Sequence, residues 1–288
     1  MNNRFLGNTT CLTKYDLLIK VATSFSLPTW YITMLTENET RNKGDRNATN
    51  YRLGSMNTEL LESMKAMFYG DDATMSEVCA QLRNQDVDIK MVTTRNNTKA
   101  GHYRIGYLNN FTNAKRDDYF EGVKSLIDKT TGQIIFLDPD TGIMPSSRKL
   151  STGKGPSFIK STEIKAIMES VSEDSIIMVQ QLLTNYQYSH EARVRDLQQD
   201  LQTNVILLVD EVIQSGVYFF PQSNASLKFL TTYLWEYLTQ YQFVKSSDRV
   251  MLITGTEEGV NVKPLGVPKA PKVNSKQNLV TDLNEETI

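Results

Sequence analysis

Residues 133–142 read "QIIFLDPDTG": four large apolar residues, Ile134 to Leu137, stop at an aspartate, a proline and a turn. A short unbroken apolar run bounded by turn residues predicts a strand buried on both faces, as in a parallel sheet. Asp138 falls at the carboxyl end of that strand. Pro139 fixes one backbone torsion and brings no N–H, and Asp140, Thr141 and Gly142 have turn character. Ligands of open parallel sheets lie beyond the carboxyl ends of the strands. Asp138, Pro139 and Asp140 therefore become candidates for a catalytic edge, with a strand-ending Asx turn as the plain structural alternative.

The flanking sequence alternates in type. Upstream, "KYDLLIKVATSF" from Lys14 has helical spacing, "TWYITML" (29–35) reads as the first strand, and the polar stretch 36–55 as a long loop. Helices are predicted over 57–70 and 74–84, a strand over 88–94, then a polar loop with His102 leading into 102–108, and a helix over 115–128. Downstream follow helix 161–171, strand 175–181, helix 189–201, strands 204–211 and 216–222, and an apolar helix 224–241. This order predicts an α/β, Rossmann-like fold with a mostly parallel sheet flanked by helices. The reading gives one domain over 1–254 and a flexible C-terminal tail over 255–288, where Gly, Pro, Lys, Asn and Glu mix without evident periodicity.

Composition narrows the function classes. The chain has 288 residues, enough for a full core, and its net charge of -2 neither argues for nor excludes a polynucleotide. Two cysteines far apart and two histidines make no zinc or disulfide framework, so no metal ligands are assigned. No stretch approaches the roughly 20 apolar residues that span a bilayer, so no membrane partner and a cytoplasmic location are expected.

"GNTTCLTKYDLL" (7–18) resembles the Gly-Asn-x-x-Asp-x-x-Lys-His segment of the bacterial large-subunit ribosomal RNA adenine-N6 methyltransferases of the J type, in the class I S-adenosylmethionine-dependent superfamily. Gly7, Asn8 and Lys14 match, while Cys11 and Tyr15 replace the family's aspartate and histidine. "FLDPDTG" stands where that family has Asp-Pro-Pro-Tyr, and is similar to a DPD[N/T]G form found in uncharacterised bacterial proteins. The resemblance implies a protein that acts on or binds a nucleic acid or nucleotide, with S-adenosylmethionine as cofactor. It places Asn8 and Lys14 on the cofactor side and Asp138 and Pro139 at the reacting amine; after the first strand, Glu37 or Glu39 is a candidate for ribose hydroxyls, with an exposed acidic loop as the plain alternative. Oligomeric state stays open. Asp140 and Thr141 replace the second proline and the stacking aromatic, and the first strand is not followed by Gly-x-Gly.

Other constellations compete. Pro139-Asp140 with Glu163-Ile164-Lys165 has the spacing of a magnesium-dependent PD...ExK nuclease, although helical spacing around Glu163 disfavours it. "STGKGPS" (151–157) lacks the full phosphate-loop pattern. Gln180 and Gln181 end the strand expected beside Asp138, and His190 opens a helix. A non-catalytic binding or assembly module on the same fold is the third reading.

Overall fold

The computed structural model describes residues 9–34, 53–69, 75–93, 102–104, 111–145, 155–183, 189–241 and 249–266. Inside its main sheet lies β4 (Ile134–Asp138), every residue of which is buried. β4 is flanked by β1 (Thr29–Thr33) and β7 (Ile176–Leu182), both parallel to it. An all-apolar run is stable there because helices cover both faces of the strand.

Beyond β1 lie β2 (Ile89–Thr93) and β3 (His102–Arg104), and beyond β7 lie β9 (Ser215–Pro221), β8 (Val205–Asp210), β10 (Val250–Thr256) and β11 (Gly259–Pro264). The nine-stranded order is β11-β10-β8-β9-β7-β4-β1-β2-β3. The parallel block runs from β3 to β7. β9 and β10 run against their neighbours, so β8 and β11 recover the common direction. A second, two-stranded sheet pairs β5 (Gly142–Ile143) with β6 (Phe158–Ile159).

Seven helices complete three layers among the described residues. On one face α1 (Thr9–Phe25), α2 (Thr58–Tyr69), α3 (Met75–Asn84) and α7 (Asn224–Thr239) pack with Tyr31, Phe136 and Met178. On the other, α4 (Arg116–Leu126), α5 (Ser161–Met168) and α6 (His190–Leu201) pack with Ile32, Leu137 and Val179. Helix starts follow local chemistry. Asn57 Oδ1 accepts the Leu60 N–H at 3.1 Å, Ser189 Oγ that of Ala192 at 3.1 Å, and Ser223 Oγ that of Ser226 at 3.2 Å.

The α/β sheet flanked by helices agrees with the sequence reading, but its second half is an antiparallel extension. The expected boundary at residue 254 falls inside β10, and the chain continues as β11 to Pro264. That segment is an edge hairpin, closed through Glu257-Glu258 with Gly259 at φ +129°. β11 shows alternate exposed and half-buried residues, the pattern of a strand solvated on one side. The remaining tail, 267–288, lies outside the described residues. α1 begins at Thr9, so Lys14 sits within the helix rather than at its start. Among the described residues no helix is long and apolar enough to cross a membrane.

Candidate functional site at the carboxyl edge of the sheet

The chain leaves β1 toward β2 and β3, then returns to place β4 on the other side of β1. This reversal makes the β1/β4 boundary the switch point of the sheet, where crossover connections diverge and leave a crevice beyond the strand ends. Asp138 is the last residue of β4 and pairs in register with Thr33, the last residue of β1.

α1 crosses this edge and delivers Lys14 to Asp138. The Lys14 ammonium donates to Asp138 Oδ2 at 2.8 Å, with the two side chains 5% and 2% exposed. Tyr31 Oη donates to the same oxygen at 2.5 Å, and the Tyr15 and Tyr31 hydroxyls lie 2.9 Å apart. The Tyr31 ring stacks on Phe136 with centroids 5.1 Å apart, and the Lys14 ammonium lies 4.9 Å from the Tyr15 ring centroid. Tyr15 thus completes the cluster through Tyr31.

Protonation follows from this packing. Burial alone would lower the Lys14 pKa, but the charge and hydrogen bond of Asp138, with Cys11 and Asp140 nearby, leave it raised. Burial foremost, then neighbouring charge, pushes the Tyr15 and Tyr31 phenols well above their ordinary value. At neutral pH Lys14 is therefore an ammonium and the two phenols are neutral. Asp138 is 1% exposed, Pro139 is buried, and Asp140 is half-buried.

A second carboxylate on α1 behaves differently. Asp16 is fully buried and accepts from Asn57 Nδ2 at 3.2 Å and Tyr237 Oη at 2.9 Å. Burial raises its pKa against those two hydrogen bonds and the charge of Lys20. It ties α1 to the start of α2 and to α7.

The turn after Asp138 is fixed by residues on the other face. Gln181 Oε1 accepts the Ile143 N–H at 2.9 Å, while its Nε2 donates to the Thr141 carbonyl at 3.1 Å and the Leu182 carbonyl at 2.8 Å. Gly142 has φ +123°, and a Cβ there would stand 2.4 Å from Gln181 Cδ. Glycine is needed at this place for both reasons. Arg193, buried on α6, donates to the Ile143 and Met144 carbonyls at 3.3 and 2.9 Å. Arg193 was not singled out in the sequence; an arginine within an apolar helical face was the available signal.

Other candidates fall elsewhere. Asn8, Glu37 and Glu39 lie outside the described residues. Glu163 is on helix α5, where it pairs with the buried Arg116 and accepts the Lys160 N–H at 2.8 Å. Those bonds assign it to α5 and the 155–163 segment. Among the described residues no three His, Cys, Asp or Glu side chains gather to hold a metal. His190 lies 3.3 Å from Glu211 at the surface. At the end of Thr33, the hydroxyl donates to the Val92 carbonyl at 3.0 Å and the carbonyl accepts from Tyr119 Oη at 2.7 Å.

An open polar cleft of about 540 Å³ is lined by Gln198, Gln202, Asn204, Gln222, Ser223 and Glu257, among others. These residues precede β8 or follow β9 and β10, so the cleft lies at the opposite end of the sheet from Asp138.

No family model matches the chain, and no curated protein matches it. Among solved structures it is similar to the Legionella pneumophila str. Philadelphia 1 protein LPL1258, from family-model DUF519. That similarity has a TM-score of 0.44 and 13% identity over 82% of this chain and 93% of the other. So slight a likeness carries no argument about function.

Proposed function

We propose that this chain is a methyltransferase-like α/β domain that binds a nucleotide or nucleic acid in the crevice beyond β1 and β4. The observation that carries the reading is the meeting of Lys14 and Asp138 at the switch point. They come from the two short patches that resemble the adenine-N6 methyltransferases, 124 residues apart in sequence, and they form one buried pair. Strand order adds support. Without the β5-β6 pair and the β10-β11 hairpin, the sheet reads 3-2-1-4-5-7-6 in chain order, with the seventh strand reversed. That is the strand order of the class I methyltransferase-like fold.

The pair's role is positional. Asp138 holds Lys14 and Tyr31 so that α1 is locked over the strand ends, and Asp140, half-buried beside it, extends the acidic edge. S-adenosylmethionine carries an aminocarboxylate, a sulfonium, a ribose diol and an adenine. The described residues fit it only in part: Lys14 is already bonded to Asp138, and the Thr33 backbone carbonyl to Tyr119. No methyl-transfer step is derived from this arrangement.

Isothermal titration tests the reading, with S-adenosylmethionine, adenosine 5′-monophosphate and a short single-stranded RNA as separate titrants. Saturable heat from at least one of them is expected. No heat from any titrant, with protein that melts cooperatively, would refute it.

A further inference from the structure

Asp138, the last residue of β4, and Gln180, two residues before the end of β7, lie on adjacent strands and on the same face of the sheet. The β4/β7 register pairs Leu137 with Val179, so the next step sets Asp138 beside Gln180. Parallel strands there are about 4.8 Å apart. Phe136 and Met178, two residues earlier on each strand, both pack in the α1/α7 core, and alternation puts Asp138 and Gln180 on that side.

Gln180 is 4% exposed. Its Nε2 donates to Ser215 Oγ at 2.8 Å and lies 3.5 Å from the Gln181 carbonyl. That carbonyl can only accept, which assigns the nitrogen end of the amide to it. Among the described residues the Gln180 Oε1 atom has no hydrogen-bond partner. The hydrogen bonds that Lys14 and Tyr31 give Asp138 both fall on Oδ2. Beside Asp138 the sheet therefore holds one buried acceptor oxygen, Gln180 Oε1, that the described residues leave unsatisfied, although buried acceptors are nearly always satisfied. A group that fills this position has to bring hydrogens. An amino group carries two on one nitrogen, whereas a carbonyl would set acceptor against acceptor.

We propose that Gln180 is a specificity-determining residue of the crevice, its Oε1 acting beside Asp138 to accept the amino edge of a nucleobase in preference to the corresponding oxo edge. This rests on the nucleotide reading above and adds the chemical class of base that it selects. The resemblance assigned the Asp-Pro turn to an amine and gave Gln180 no part in it.

The experiment is equilibrium binding of adenosine and inosine 5′-monophosphates, and of cytidine and uridine 5′-monophosphates, to the full chain. Wild-type protein is expected to favour the amino member of at least one pair by roughly tenfold, the size of one well-made hydrogen bond. Gln180→Met, similar in shape but without the acceptor, brings that ratio below roughly threefold with oxo-base affinity unchanged. Gln180→Glu, which keeps an acceptor and can accept a hydrogen bond from the Ser215 hydroxyl, retains the preference. Equal affinity for amino and oxo bases in the wild type overturns the inference without any variant and leaves the nucleotide reading standing. So does a preference that survives in folded Gln180→Met. No binding of any of the four to folded wild-type protein removes the nucleotide reading and the inference with it.

Discussion

Replacing Lys14 by methionine keeps most of the side-chain volume and removes the charge that faces Asp138. Both side chains are at most 5% exposed, so neither water nor another cation among the described residues can take the ammonium's place without rearrangement. Breaking one partner of a buried pair costs about 3–5 kcal/mol, chiefly because it strands the other charge. Asp138 keeps the Tyr31 hydrogen bond, which puts the expectation near the lower end, about 3 kcal/mol. For a chain of this size, that corresponds to a fall in Tm of roughly 5 °C. Urea unfolding with an unchanged slope and a lowered midpoint is the assay. The double variant Lys14→Met with Asp138→Asn should recover at least about half of the loss, because the stranded charge is gone. A loss under about 1 kcal/mol, the size of an exposed pair, would refute the burial argument, as would a double variant no better than the single.

The same cluster sets an alkaline limit. Lys14 has its pKa raised on folding, so its pair contributes fully below the ordinary lysine value and is lost as pH rises through the folded one. Tyr15 and Tyr31 stay neutral in the fold while the unfolded chain ionises above about pH 10, which moves stability the same way. Stability should therefore fall steeply above about pH 10, and less steeply in Tyr31→Phe, as followed by chemical denaturation across pH. Asp16 works in the opposite range: its raised pKa means that ionisation costs stability as pH rises from the ordinary carboxylate value through the folded one. Asp16→Asn should match or exceed wild-type stability at pH 7 and flatten the profile between acid and neutral pH; a large loss at pH 7 would contradict this. Gly142→Ala combines a positive φ with a clash against Gln181 and should cost at least about 2 kcal/mol in the same assay. By contrast Lys65→Met, which removes the partner of a 70% exposed Glu62, should stay within about 0.5 kcal/mol.

Much of the parallel half was legible because its signals are local. The apolar run Ile134–Leu137 is β4, Asn57 is the cap that starts α2, and Gly, Pro and polar clusters punctuate the rest. β10 and β11 were missed because an edge hairpin has only a half-buried period-two pattern. Even so, "GVNVKP" does alternate, and that alternation was the signal available. The β5-β6 pair is two residues per strand, too short for any periodicity.

The candidate site was legible in its residues but not in their state. Asp138 and Lys14 stood out, one from its place at a strand end and the other from a motif match. Nothing local shows that they neutralise each other, since the contact spans 124 residues. Tyr15 and Tyr31 look like ordinary core aromatics in sequence, and become polar partners only because α1 and β1 cross at the switch point. Arg193, and the clamping role of Gln181, were hidden for a related reason: their partners are backbone carbonyls and an N–H, which carry no sequence signature.

The central claim, that the ligand crevice lies beyond β1 and β4, is tested most directly by amide NMR of the full chain titrated with adenosine 5′-monophosphate or S-adenosylmethionine. The account predicts shift changes concentrated at Thr33, Asp138 to Gly142 and Gln180 to Leu182. Changes concentrated instead at Gln198, Gln222 and Glu257, at the far end of the sheet, or no changes with either compound, would contradict it.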